Sequence, residues 1–324
     1  MRRNLVTEIV LWASVVVLSF LVYLTFRKDS ARDLPPKLPA DTTRPVANVE
    51  GKPQRVSFDG LIWDFPLDVL ELPKFPKNAR DGELILGFPD KDALRNFTDA
   101  ANARGVPILG TVPNLGLARV SVRNLRGFAE LGAEISDDLD TSLNYWVRAP
   151  TPAVPLDGRE ALSFGEKALD WLGVPQENKT WGQGVKIAIL DTGVWTEHPA
   201  FEGSKITQID LLEPEQSIPG DYDGHGTAVA SLIVGSTEAQ RGISPAAGLI
   251  SVRVLDGEGK GDTFTLAQGI VEAVDQGARV LSLSLGGSGD NFVLRKAVDY
   301  ALEQGAVIVA SAGNDSENQA TFPA

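Results

Sequence analysis

The sequence contains no cysteine, which excludes disulfides, thiolate metal sites and cysteine nucleophiles. Its two histidines, His198 and His225, are too few for a histidine-rich zinc centre. Basic residues are also scarce, with 30 Lys and Arg against 43 Asp and Glu and a formal net charge of -13 at pH 7. A nucleic-acid-binding protein needs a basic face, so the composition argues against a nucleic-acid partner. Structural calcium, held by carboxylates and carbonyls, is left open.

A nucleotide-binding fingerprint is missing as well. The glycine-rich stretch Gly257–Gly261 does not have the G-x-G-x-x-G spacing, and no G-x-x-x-x-G-K-[ST] segment occurs in the sequence. With 324 residues, of which 43% are hydrophobic, the chain has room for about two domains with cores of ordinary composition.

One long uncharged segment, Ile9–Phe26, stands near the N-terminus. As a helix its 18 residues would span about 27 Å, close to the roughly 30 Å of a bilayer core. No small-x-small cleavage site follows it, which disfavours a cleaved signal peptide. We therefore expect residues 1–28 to be a membrane anchor that keeps the rest of the protein outside the cytoplasm. The alternative is secretion after signal cleavage.

Residues 29–57 are rich in proline and predict an extended linker. The next segment, 58–150, contains alternating strand and helix patterns. Helices are predicted after Asp90 and after Asn124, both good capping residues. Strands are predicted at Glu83–Phe88, Val106–Val112, Leu117–Val122 and Asn144–Val147. The order βαββαβ indicates a small α+β unit of the ferredoxin-like type.

A second proline-containing linker, 151–166, with a possible processing site, precedes a segment of different character, 167–324. Here apolar, β-branched runs alternate with helical patterns, which predicts a mainly parallel sheet flanked by helices. The predicted strands are Val185–Leu190, Leu249–Val254, Val280–Leu285 and Ala306–Ala310, and the predicted helices are Thr227–Val234, Thr263–Gln276 and Phe292–Gln304.

Three polar residues fall beside the predicted strand and helix ends, where such sheets carry their chemistry. Asp191 ends a buried strand, and His225 stands between two glycines before an apolar helix. Alone, each is more often a structural residue, but together they fit a histidine base held by a carboxylate. Asn314 is either a turn residue or an amide donor to a developing oxyanion.

Two further segments combine glycine with strand-like neighbours. Ser284-Leu285-Gly286 follows one predicted strand, and Gly259 and Gly261 flank Lys260. Their backbone groups are either parts of plain turns or edges to which an extended peptide adds as a strand.

Taken together, these motifs resemble those of the subtilisin-like serine proteases, or subtilases. Asp191-Thr192-Gly193 and His225-Gly226-Thr227 match the family's aspartate and histidine motifs. Ser284-Leu285-Gly286 matches its substrate-binding strand, and Asn314 its oxyanion residue. The resemblance implies a serine endopeptidase that acts on peptides or proteins without a catalytic cofactor. It also implies that residues 58–150 are a propeptide, an intramolecular chaperone and inhibitor.

The chain departs from the family at one decisive point, because no Gly-Thr-Ser nucleophile motif occurs in it. We therefore expect a catalytic domain that is truncated at its C-terminus and inactive as given. The alternative is a non-catalytic binding or protease-inhibitory protein built on the same fold.

Overall fold

The computed structural model describes residues 75–132, 139–150, 169, 172–213, 224–238, 240–287 and 291–311. The predicted anchor at 1–28, both predicted linkers and Asn314 lie outside these ranges. No helix within them is both long and apolar enough to cross a membrane.

The first part of the described chain is an antiparallel sheet with two helices on one face. In chain order its elements are β1 (Ala79–Gly87), α1 (Lys91–Ala103), β2 (Ile108–Val112), β3 (Leu117–Ser121), α2 (Leu125–Gly132) and β4 (Asp140–Arg148). The strands lie side by side in the order β2-β3-β1-β4, and each neighbouring pair is antiparallel. This is the βαββαβ arrangement that the sequence predicts.

Helix α1 follows the physical signals in its sequence. The Asp90 side chain accepts a hydrogen bond from the Ala93 backbone N–H at 2.8 Å and caps the helix. Leu94, Phe97 and Ala101 recur at helical spacing and are buried against the sheet. Strand β1 begins at Ala79, earlier than predicted, because residues 79–82 are mostly polar and give no apolar pattern. Its pairing with β4 is irregular between Ala79 and Leu84.

The second part of the chain is a parallel sheet, whose strands are β5 (Lys186–Asp191), β6 (Lys205–Asp210), β7 (Gly248–Arg253), β9 (Val280–Leu283) and β10 (Val307–Ala310). They lie side by side in the order β10-β9-β5-β7-β6. Helix α3 (His225–Val234) packs on one face, and helices α4 (Thr263–Asp275) and α5 (Phe292–Glu303) pack on the other. Strand β6 is not predicted from the sequence, because it is a polar, largely exposed edge strand.

The two sheets share one hydrophobic core. Apolar residues on the outer face of the antiparallel sheet, such as Ile85 and Leu117, join those of α4 and α5 in a single buried cluster. The contact is close at Gly87 and Gly110, where a Cβ would lie 2.7 Å from the Phe292 ring and 2.9 Å from the Phe264 ring. A short strand, β8 (Lys260–Asp262), also crosses over and pairs with β4. It makes the antiparallel sheet five-stranded within the described residues.

Candidate active site

Asp191 is the last residue of β5, which lies between β9 and β7 in the middle of the parallel sheet. Only 1% of the residue is exposed, so protein groups surround its carboxylate. Oδ1 accepts hydrogen bonds from the Thr192 backbone N–H at 2.7 Å and from the Thr192 hydroxyl at 3.3 Å. These contacts fix the carboxylate at the carboxyl end of the strand.

His225 is the first residue of α3, and the glycines on either side let it approach β5 closely. Gly224 has a φ of 88°, a left-handed conformation that glycine adopts without strain. Gly226 has no room for a side chain, because a Cβ there would lie 2.2 Å from the Gly193 carbonyl oxygen. Its backbone N–H donates to the Thr192 hydroxyl at 3.2 Å. The start of the helix is thereby attached to the end of the strand.

The side chains of Asp191 and His225 meet in a buried hydrogen bond. The distance between His225 Nδ1 and Asp191 Oδ1 is 2.7 Å. An ionised carboxylate can only accept hydrogen bonds, so Nδ1 is the nitrogen that carries the proton. Nε2 is then the ring nitrogen that can accept a proton. A histidine held in this way by a carboxylate is the general base of serine-protease chemistry.

The two glycine-containing segments face each other across the end of β4. Arg148 and Gly286 exchange two backbone hydrogen bonds, with Arg148 N–H donating at 2.8 Å and Gly286 N–H donating at 2.9 Å. On the other side the Ala149 N–H donates to the Gly259 carbonyl at 2.8 Å, and Val147 is paired with Gly261. An extended segment from the first part of the chain therefore lies as a strand between two edges of the second part.

The other predicted site residues have different settings. Ser284 and Leu285 are both buried, at 4% and 0% exposure, so their side chains belong to the interior while Gly286 makes the backbone contact. Asn314 lies outside the described residues. Within those residues, no group of three or more His, Asp or Glu side chains is placed to hold a metal ion.

Sequence reasoning assigned no role to two threonines that hold the site together. The Thr192 hydroxyl joins Asp191 to the start of α3, as described above. The Thr227 hydroxyl accepts a hydrogen bond from the Trp195 backbone N–H at 2.9 Å and ties α3 to the loop after β5. Both threonines stand within the two motifs, Thr192 directly after Asp191 and Thr227 two positions after His225, but the partners of their hydroxyls become visible only once strand and helix are in contact.

Comparison with known proteins shows which family this chain resembles. A family model described as the subtilase family matches residues 182–324. Thermitase from Thermoactinomyces vulgaris is 43% identical over 146 residues, which cover 44% of this chain and 52% of thermitase. An alkaline protease from Shouchella clausii is 35% identical over 257 residues, covering 74% of this chain and 63% of that protein. The chain spans about half the length of the curated relatives that it matches.

The structural comparison agrees on the fold. Fervidolysin from Fervidobacterium pennivorans, described as a keratinolytic enzyme related to subtilisin, superimposes with a TM-score of 0.60 at 22% identity. The superposition covers 78% of this chain and 42% of fervidolysin, so it extends beyond the residues that the family model matches. The family model and the relatives agree on one assignment: residues 182–324 of this chain match the subtilase family.

Proposed function

We propose that the complete protein hydrolyses peptide bonds as a subtilisin-type serine endopeptidase. The observation that carries this proposal is the buried 2.7 Å contact between Asp191 and His225. His225 would take the proton from an attacking serine and return it to the leaving amine, and Asp191 would stabilise the imidazolium formed in between. Asn314, which has the sequence position of the family's oxyanion residue, would donate to the tetrahedral intermediate.

The attacking serine would have to come from outside these 324 residues, since they contain no Gly-Thr-Ser motif. Ser311 is a poor substitute because it is buried and its hydroxyl lies 3.5 Å from the Leu285 carbonyl. We therefore expect the 324-residue polypeptide to show no peptidase activity. In subtilisin, removal of the serine lowers turnover by roughly 10⁶-fold.

The test compares the 324-residue polypeptide with its His225→Ala variant on a peptide substrate. Equal rates, both at the level of buffer, are expected. Hydrolysis that is lost in the variant would mean that another residue of these 324 acts as the nucleophile. Sequencing the coding DNA past the codon of Ala324, for a Gly-Thr-Ser motif in frame, tests the origin of the serine.

We further propose that residues 58–150 act as an inhibitory propeptide. The support is the position of Val147–Ala149, which add as a strand between Gly259–Gly261 and Gly286. An extended peptide that adds to sheet edges in this way gains main-chain hydrogen bonds, as a protease substrate does. The match to the alkaline protease covers more of the chain than residues 182–324 contain, so that relative shares part of this N-terminal segment.

The inhibition is tested with residues 58–150 made as a separate polypeptide, whose folding is checked by circular dichroism. It should slow a complete subtilase that contains residues 167–324 of this chain, at micromolar concentration. Because Arg148 contacts Gly286 through its backbone, Arg148→Ala should still inhibit, whereas Arg148→Pro, which has no N–H, should not. Absence of inhibition by the unsubstituted segment would leave it a structural unit only.

The location of the protein is a further proposal, which rests on the apolar run Ile9–Phe26. We expect this segment to hold the protein in a membrane with the subtilase domain outside the cytoplasm. Carbonate-washed membranes should then retain the full-length protein. A soluble form whose new N-terminus follows residue 26 would support signal cleavage and secretion instead.

A further inference from the structure

The contact between the two parts of the chain contains a cluster of five charged side chains. We refer to residues 75–132 and 139–150 as the N-terminal unit and to the described residues from 172 onward as the subtilase domain. The N-terminal unit contributes two arginines and one carboxylate to the cluster, and the subtilase domain contributes two carboxylates. We name this set the interface charge cluster, and its members are Arg80, Glu83, Arg119, Glu213 and Asp262.

Each arginine reaches both carboxylates of the subtilase domain. Arg80 lies 2.8 Å from Asp262 and 3.2 Å from Glu213. Arg119 lies 2.8 Å from Glu213 and 3.7 Å from Asp262. Within the described residues, every ion pair of these two carboxylates is made with the N-terminal unit. The contact therefore joins a cationic surface on one part to an anionic surface on the other.

The cluster is removed from water except at one edge. The side chains of Arg119 and Asp262 are 7% and 3% exposed, whereas that of Glu213 is 36% exposed. The Arg119 guanidinium also lies over the ring of Phe264, 5.2 Å from its centroid. Charges at this depth are screened little by salt and are costly if they lose their partners.

Such a cluster contributes more to the choice of binding partner than to the affinity for the correct partner. A buried ion pair gains little over an apolar contact of the same shape, because desolvation offsets the attraction between the charges. Removing one side of the pair is expensive, since the other charge stays buried without compensation. A partner without the matching charges is therefore rejected strongly, while the matching partner is favoured only modestly.

We propose that the interface charge cluster makes the N-terminal unit selective for its own subtilase domain. A subtilase domain without carboxylates at the places of Glu213 and Asp262 would bury Arg80 and Arg119 against Glu83 alone. Such a domain should bind the N-terminal unit poorly, even where its β8 and Gly286 edges are intact. This inference deepens the proposed propeptide function by naming what determines its partner.

The test uses the full chain with a site-specific protease sequence inserted between Pro150 and Leu169. After cutting, the association of the two halves is measured by gel filtration and by a dilution series with a fluorescent label. Arg119→Met leaves three carboxylates with one guanidinium and should raise the Kd of the halves by about 100-fold or more. Glu213→Lys, a change in the subtilase domain at a partly exposed position, should do the same without altering the N-terminal unit.

A second substitution that compensates the first distinguishes an effect of charge from a general loss of packing. Adding Glu213→Gln to Arg119→Met removes one of the excess carboxylates, so the double variant should bind roughly tenfold more tightly than Arg119→Met alone. Arg126→Met is the matched control, because Arg126 is 83% exposed and pairs with Glu130 within its own helix. It should leave the Kd unchanged.

The proposal is overturned if the halves of Glu213→Lys stay together as tightly as those of the unsubstituted chain. It is equally overturned if Glu213→Gln fails to compensate Arg119→Met. Melting of the uncut variants by circular dichroism identifies any that do not fold. The measurement needs no hydrolysis, so its failure would leave the proposed peptidase and inhibitory functions standing.

Discussion

The substitution Gly226→Ala has two opposite effects on the stability of the fold. Gly226 is the second residue of α3, and replacing a helical glycine by alanine usually stabilises a helix by up to about 1 kcal/mol. Here, however, the added Cβ would lie 2.2 Å from the Gly193 carbonyl oxygen, and such contacts are essentially never closer than 3.0 Å. A shift of about 0.8 Å is therefore required between two backbone segments. Overpacking of this kind costs about 1–3 kcal/mol, so we expect a net loss of stability.

The required shift falls directly on the candidate catalytic pair. Moving the start of α3 away from the end of β5 would lengthen the 2.7 Å contact between His225 and Asp191. At about 3.5 Å the hydrogen bond is largely lost. Gly226→Ala should therefore lower the melting temperature by several degrees and also release the His225 ring.

Nuclear magnetic resonance of a chain labelled with ¹⁵N-histidine can follow the ring directly, since the protein has only two histidines. The Nδ1–H signal of His225 should disappear or broaden in Gly226→Ala. Gly248→Ala is the control, because its Cβ would meet the nearest atom, Lys186 Cγ, at an unstrained 3.6 Å. A Gly226→Ala protein with raised stability and an unchanged His225 signal would refute the reasoning.

Three further predictions follow from other contacts. The same spectra should show opposite tautomers for the two histidines, with the proton on Nδ1 in His225 and on Nε2 in His198, because His198 Nδ1 accepts the Ala200 backbone N–H at 3.2 Å. Identical tautomers would contradict this assignment. In the complete enzyme, Asp191→Asn should lower kcat with little effect on KM. The equivalent change in another serine protease lowers kcat by roughly 10⁴-fold, and a small effect here would argue against the role of Asp191. The pKa of Tyr300 is raised above its ordinary value of 10.0, mainly by the hydrogen bond to Asp275 and secondly by burial. Folding stabilises the neutral phenol, so the protein should be more stable than its Tyr300→Phe variant at about pH 8, and this difference in the free energy of unfolding should shrink above about pH 10. Urea unfolding measures it, and a difference that does not change with pH would refute the reasoning.

The sequence predicts those elements whose own residues carry a strong pattern. Strands β5 and β7 are mostly apolar and buried, as parallel strands covered on both faces usually are. Helix α1 is predicted from Asp90 onward because its cap and its apolar face agree. Asp191 and His225 could be proposed from the sequence as members of one site, since each stands at the end of a well-marked element.

Other features depend on contacts between distant parts of the chain. Strand β8 has three residues and exists as a strand because it pairs with β4, more than a hundred residues earlier. The interface charge cluster has the same origin, because Arg119 and Glu213 are separated by 94 positions and neither stands in a recognisable motif. Periodicity describes one element at a time, so it contains no information about such pairs.

Two glycines beside the added strand are required for different reasons, one by the subtilase domain itself and the other by the strand that packs against it. A Cβ at Gly261 would lie 2.2 Å from the Val254 carbonyl, a group of the domain itself, so this glycine is required whether or not a strand is bound. A Cβ at Gly287 would instead lie 2.9 Å from the Trp146 carbonyl and 3.3 Å from Val147 Cγ1, both in the added strand. Within the described residues, its nearest contacts all belong to the N-terminal unit. The absence of a side chain at Gly287 therefore leaves room for the backbone of the added strand, whereas at Gly261 it leaves room for the backbone of the subtilase domain itself.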